Sequence, residues 1–334
     1  MLGLSSLTDS VHASALFAPY QHVAEHVTAD NLKIQTSVYG QPQALIRNGR
    51  SVLPASISSV IWGFASGECG QEVWGGHNAD QFAQANVADF NQAGLAYLIS
   101  TGGQAAMFTC ASDEGMRQFV ERYQSPMLKG IDFDIEGQQS DQQIEDLVLR
   151  ARYLQQNFPH LRLSFTLATH AGSDARRASL NRTGELVVRL LKQHQVNSAI
   201  INLMVMDYGK ASRQVCVVKS LGPAKTKRCD MGKSALQAVQ NVASKYDLSY
   251  SRLAVTAMIG VNDVLENVFS LRDAQQMLDD ARNYGYAGVH YWSLDRDRSC
   301  TQARLRQASP ICHGLPRLPA LSFAQTILPA PSAP

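Results

Sequence analysis

The chain has 334 residues, 45% of them apolar and 17% charged, with a formal net charge of +2. That is enough chain for one large domain or two ordinary ones, and too apolar for a disordered segment. So small a net charge, without a Lys/Arg cluster, argues against a nucleic-acid partner, and no apolar run reaches about 18 residues, so no membrane span is expected.

The first residues, MLGLSSLTDSVHASALF, lack the basic start and continuous apolar stretch of a secretory signal, which leaves prior removal of a signal as one reading. Eight short apolar, β-rich runs then recur, over 14–20, 56–66, 95–100, 130–136, 162–169, 199–207, 253–260 and 287–294. Helical patterns fill most of the gaps. Ser112 opens one. Over 140–157, Ile144, Leu147, Val148, Ala151 and Leu154 fall on one face, with Ser140 as N-cap and Gln143 as its capping-box partner. Others cover 178–194 and 233–246, and Ser270 with Asp273 opens the last. Helices after the first and last strands are weak in the pattern.

Strand–helix alternation repeated eight times predicts an α/β fold, a (β/α)8 TIM barrel rather than an open doubly wound sheet. No GxGxxG follows the first strand, which counts against a dinucleotide fold. The barrel is expected to be one domain over 1–315. The Pro/Ala-rich tail, 316–334, is expected to lie outside it as a strap or linker.

The six cysteines are Cys69, Cys110, Cys216, Cys229, Cys300 and Cys312, none in a CxxC pair, so a zinc site is not expected. Cys216 and Cys229 flank one short loop and Cys300 and Cys312 another, which leaves Cys69 to Cys110. This is the simplest of fifteen pairings and implies an oxidising compartment, secreted or periplasmic; six free thiols in a cytosolic enzyme is the alternative.

The most informative segment is Gly130-Ile131-Asp132-Phe133-Asp134-Ile135-Glu136-Gly137. Strand alternation puts Asp132, Asp134 and Glu136 on one face and the apolar residues on the other. In a barrel the apolar face packs on the helices, so the acids point inward, with Glu136 at the C-terminal end. Such a stack does not favour folding, and at least one carboxyl must hold its proton. The C-terminal end of a strand is where barrel enzymes place their chemistry, and a raised pKa suits a general acid. Three acids bridged to Arg or Lys in a polar interior is the alternative.

GIDFDIEG resembles the signature of family 18 glycoside hydrolases, the chitinases, D-G-x-D-x-D-x-E on the fourth barrel strand. Three of its four acids are present, and Lys129 stands at the first. Other segments resemble family motifs in order. Ser100-Thr101-Gly102-Gly103 is similar to S-x-G-G, and Met204-Val205-Met206-Asp207-Tyr208 to a bacterial branch written M-x-M-D-Y. Trp292 ends the eighth strand, where the family keeps a Trp under the sugar.

The resemblance implies a chitinase that cleaves β-1,4 bonds between N-acetylglucosamine units with assistance from the substrate. Glu136 would protonate the leaving oxygen, and the acetamido carbonyl would attack its own anomeric carbon, giving retention. Asp134 would hold the acetamido N–H, Asp132 would share a proton with Asp134, and Asp207 would orient the sugar and Glu136. The implied substrate-binding residues are Trp292, Met204, Met206, Tyr20, Gly102, Gly103 and Tyr208. For Tyr208, alternation sets it and Met206 on one face and Asp207 on the other. Ser100 is expected as a donor to the acids. Asn262 and Asp263 lie at a strand end, as cleft lining or loop caps. Trp62 and Trp74 are either outer aromatic subsites or core, and His170 and His290 are read as structural. No metal and no cofactor are expected. The expected partner is chitin or chitooligosaccharide, soluble oligomers above all since no second domain is legible, and the chain is expected to be a monomer. Rival readings are an endo-β-N-acetylglucosaminidase on N-glycans, a chitin-binding lectin, against which the intact Glu136 counts, and an unrelated barrel enzyme such as an aldolase.

Overall fold

A computed structural model of the protein describes residues 15–23, 27–28, 30–222, 226–301 and 306–328. What the sequence suggested for residues 1–14 and 329–334 lies outside these.

All eight expected strands form. They are β1 (Leu16–His22), β2 (Ser59–Glu68), β3 (Ala96–Gly102), β4 (Leu128–Asp134), β5 (Arg162–Ala168), β6 (Ile200–Met204), β7 (Leu253–Met258) and β8 (Gly288–Trp292). Each pairs in parallel with its sequence neighbour, and β8 pairs with β1, so the sheet closes into the (β/α)8 barrel.

Helices α1 (Ala79–Ala93), α2 (Asp113–Arg122), α3 (Asp141–Asn157), α4 (Arg182–Gln193), α5 (Met231–Tyr246) and α6 (Leu271–Tyr284) follow strands β2 to β7 in turn. Their starts are set locally. Ser112 accepts from the Gly115 N–H, and complete capping boxes open α3 with Ser140 and Gln143 and α6 with Ser270 and Asp273. The buried side of α3 is Ile144, Leu147, Val148, Ala151 and Leu154, the stripe read from its period.

The weak places in the pattern are real. Between β1 and β2, short antiparallel pairs, Gln35–Thr36 with Gln43–Ala44 and Ile46–Arg47 with Arg50–Ser51, stand where a helix would. After β8 the helix is only α7 (Ser322–Ile327), drawn from the tail. Its Phe323, Ala324 and Ile327 are buried. Asp297 accepts from the Phe323 N–H at 3.0 Å and the Ala324 N–H at 2.7 Å, which ties α7 to the segment after β8. The tail is therefore continuous with the barrel's packing as far as Leu328.

Three disulfides join Cys69 to Cys110, Cys216 to Cys229 and Cys300 to Cys312. The second closes the base of a hairpin made by Val218–Leu221 and Thr226–Cys229.

The main core lies between barrel and helices. Trp62 and Trp74 are both fully buried there, which decides between the two readings in favour of core. Trp62 stacks on Tyr97 at 4.1 Å between centroids, and Trp74 on Phe82 at 4.5 Å. Trp74 lies on a two-residue strand that folds back on β2, and its Nε1 donates to the Tyr123 hydroxyl at 2.8 Å. Two large apolar rings are more stable in that core than in water, although Trp62 Nε1 is buried without a hydrogen-bond partner.

Candidate active site

Inside the barrel the inward positions of six strands carry polar side chains: Tyr20, Ser100, Asp132, Ser164, Thr166, Asn202 and Thr256. Asp132 is the hub. Its carboxylate accepts from Ser164 at 2.6 Å, Ser100 at 2.7 Å, Thr166 at 2.8 Å and Tyr20 at 3.0 Å. Asn202 Nδ2 extends the network to Thr166 at 2.8 Å and Thr256 at 2.7 Å. The expected donor role of Ser100 is this contact. Strand register sets it, since Asp132 is level with Ser100 on one side and Ser164 on the other. Burial still pushes the Asp132 carboxyl up, against the pull of its hydroxyl donors.

Above Asp132 the barrel opens into a cleft of about 430 Å³ at the C-terminal ends of the strands. Asp134, Glu136, Asp207 and Asp263 all line it. Asp134 is buried and its Oδ1 has no hydrogen-bond partner. Burial, then the charges of Glu136 and Asp132, push its carboxyl far above the ordinary range. Glu136 stands just past the end of β4, and burial followed by the charges of Asp207 and Asp263 raises its pKa to about 7. Asp207 follows β6 with φ of 47°. Its N–H donates to Asn262 Oδ1 at 3.3 Å, and its Oδ1 accepts from the Val264 N–H at 2.7 Å. Burial raises Asp207 too, with Val264 and Arg296 pulling against it.

The apolar side of the cleft is built from Trp292, Phe64, Met204, Met206 and Met258. Phe64 and Trp292 stack, their centroids 5.5 Å apart and their planes 19° apart. Tyr20 reaches the cleft floor beside Trp292 while its hydroxyl serves Asp132.

Gly102 and Gly103, expected to bind substrate, do not line the cleft; they pack against Asp134 and Phe64, which do. Both glycines have positive φ, 86° and 79°. A Cβ at Gly102 would stand 2.3 Å from the Asp134 carbonyl oxygen, and one at Gly103 would stand 2.9 Å from the Phe64 ring. Glycine there lets β3 close on β4 and lets Phe64 settle under the cleft.

Tyr208 does not reach the cleft. It is buried in the main core and its hydroxyl has no partner. The left-handed turn at Asp207 breaks strand alternation, so Met206 and Asp207 both face the cleft and Tyr208 turns away. His290 is buried at the opposite end, its Nδ1 3.2 Å from the Ala18 carbonyl oxygen. His170, read as structural, is exposed and lines the cleft mouth. Lys129 is exposed and donates to the Pro126 carbonyl at 2.7 Å. The deep end of the acid stack is thus Asp132 with its hydroxyl cage. Phe64 and Met258 were missed because each lies in a continuous apolar run, where a cleft residue reads like core.

No family model matches the chain. Endochitinase 11 of Metarhizium anisopliae is 27% identical over 300 residues, 85% of this chain and 55% of that protein. A probable bifunctional chitinase/lysozyme of Escherichia coli (strain K12) is 29% identical over 282 residues, 77% of this chain and 29% of that protein. The chain therefore spans about half or less of the length of these curated relatives. The catalytic domain of a hyperthermophilic chitinase from Pyrococcus furiosus shares the fold with a TM-score of 0.66 over 94% of each chain, at 20% identity.

Proposed function

We propose that this chain, a relative of the family 18 chitinases, hydrolyses β-1,4 bonds between N-acetylglucosamine units with retention, Glu136 acting first as acid and then as base. The observation that carries this reading is the position of Glu136. It stands at the cleft mouth beside Asp207 and Asp263, in surroundings that hold its pKa at about 7, so the proton is present yet can be given up near neutrality.

The other residues then take these roles. Trp292 and Phe64 offer flat apolar faces to the pyranose. Asp134, which lines the cleft and whose Oδ1 has no hydrogen-bond partner in the protein, accepts the acetamido N–H and steadies the positive charge that develops as the acetamido carbonyl attacks the anomeric carbon. The leaving oxygen takes the Glu136 proton. Water then adds to the anomeric carbon from the same side as the departed group and gives its proton back to Glu136, which restores the acid. Asp132 steadies Asp134 from below, and Asp207 orients the sugar near Glu136. The three disulfides favour an oxidising, secreted or periplasmic setting, and we infer a monomer that takes chitooligosaccharides.

The deciding experiment is fluorophore release from a chitotriose glycoside by the intact protein and by Glu136→Gln. Release by the first and near-complete loss in the folded variant is the expected result. Binding of chitooligosaccharide without any release by the intact protein would overturn the reading in favour of a lectin.

A further inference from the structure

Four residues after Trp292 comes Arg296, on a short 3-10 turn (Leu294–Arg296), with only 1% of its surface exposed. Its guanidinium meets three neutral carbonyls: Nη2 donates to Ile259 at 2.8 Å and Val261 at 2.6 Å, and Nη1 donates to Ser309. Nε is buried without a partner. Among the described residues no carboxylate lies within ion-pair distance of Arg296. Its neighbours serve other contacts. Asp295 accepts from Thr36 at 2.8 Å, and Asp297 holds the start of α7.

A buried guanidinium bonded only to neutral acceptors is an expensive way to clip a loop. Burial pulls its pKa down to about 10, and the charges that oppose this are Asp263 and Asp207. Both line the cleft. The turn over 259–264 that Arg296 grips also carries Asn262, which accepts from the Asp207 N–H, and Val264, whose N–H donates to Asp207 Oδ1. One cation thus holds the frame of Asp207 and faces its charge.

We propose that Arg296 is a positioning residue for the cleavage: from behind the cleft wall it fixes the 259–264 turn and so holds Asp207 and Asp263 in place beside Glu136, without touching the substrate. This rests on the chitinase reading above. The charged and titratable groups around Arg296 are Asp207 after β6, Asp263 after β7, His313 from the C-terminal segment, and Asp295 and Asp297 on its own segment; Asp207 and Asp263 in turn act on Glu136.

The sign of the effect follows. Arg296 is one of the forces holding the Asp207 pKa down. Without the cation, Asp207 keeps its proton to higher pH in the folded protein, so stability is lost further as pH rises through its range. The test compares the intact protein with Arg296→Met, Arg296→Gln and Arg296→Lys, by unfolding midpoint from pH 4 to 7 and by the pH profile of chitotrioside cleavage. In the two neutral variants the Tm deficit is expected to widen from pH 4 to 7. The acid limb of kcat/KM should move up by about one unit, with kcat falling about tenfold and KM within about twofold. Arg296→Lys keeps a cation and should restore the acid limb. A loop clip alone predicts a Tm deficit independent of pH and unmoved limbs, and that result overturns the proposal. Should both neutral variants fail to fold, Asp263→Asn on the exposed turn decides. The alkaline limb should fall because Glu136 loses a repelling charge, and an unmoved limb overturns the proposal. If the intact protein releases no fluorophore, the chitinase reading fails and the Tm series alone decides the role of Arg296.

Discussion

Asp132 and Asp134 stand two residues apart on the same face of β4 and are solvated in opposite ways. Asp132 is caged by four side-chain hydroxyls, whereas Asp134 has a buried oxygen without a hydrogen-bond partner. The lower carboxylate is built into the barrel, and the upper one is left for something that enters the cleft.

Asp134→Asn follows from this contrast. In the folded protein the Asp134 pKa is raised, so the unfolded chain releases the proton at lower pH than the folded one. The wild-type carboxyl therefore weakens the fold progressively as pH rises above about 4. An amide resembles the protonated acid and escapes that loss. The variant is expected to melt near the wild-type temperature at pH 4 and above it at pH 8, while cleavage drops by about 10²–10³-fold. Equal melting curves at both pH values would show that Asp134 is ionised in the folded state.

In the proposed mechanism Glu136 must carry its proton when the bond breaks. With its pKa at about 7, kcat/KM for a chitotrioside should fall about tenfold per pH unit above that value. Asp207→Asn removes the first-named repelling charge, so the alkaline limb should shift to lower pH. A limb that stays in place would mean that burial alone sets the acid.

Much of this was legible in the residues, for physical reasons. Buried parallel strands read as apolar runs, and capping boxes mark helix starts chemically, so β1 to β8, α3 and α6 could be read directly. The acid stack was legible because alternation leaves Asp132, Asp134 and Glu136 one face. Other parts were not. The Asp295-Arg296-Asp297 run looks like a solvated charge cluster, yet all three side chains are buried, and their partners come from distant segments such as Thr36 and Ile259. Pro/Ala-rich composition hid α7, whose Phe323 and Ile327 complete the wall after β8. At Asp207 a single left-handed residue defeated the alternation that set Tyr208 and Met206 on one face.

The Cys216–Cys229 bridge closes a loop with a sequence separation of 13 at the base of the 218–229 hairpin. Closing a loop of that size stabilises by about 3 kcal/mol in the chain-entropy account. Unfolding a chain of 334 residues releases roughly 0.7 kcal/mol per degree of entropy at the midpoint. Cys216→Ser with Cys229→Ser should therefore lower Tm by about 4 °C, with chitotrioside cleavage kept, since neither cysteine lines the cleft. Loss of cleavage with an unchanged Tm would show that the hairpin acts on the cleft and not on stability.

The last expectation separates two tryptophans on barrel strands. Trp62 is fully buried among Tyr97, Phe82 and Phe90, whereas Trp292 is half-buried with its ring in the cleft against Phe64. Trp62→Ala leaves a cavity in a close-packed core, about 3–5 kcal/mol, or a Tm lower by about 4–7 °C. Any enzyme that remains folded should keep its KM. Trp292→Ala opens a site already in contact with water, so its Tm should fall by no more than about 2 °C. It removes the flat face proposed to hold the sugar, and kcat/KM should fall at least about tenfold, the equivalent of ~1.4 kcal/mol of stacking. Thermal melts and chitotrioside kinetics on the two variants check both halves. A Trp292→Ala protein that melts as low as Trp62→Ala while keeping its KM would place Trp292 in the fold and leave Phe64 as the surface under the sugar.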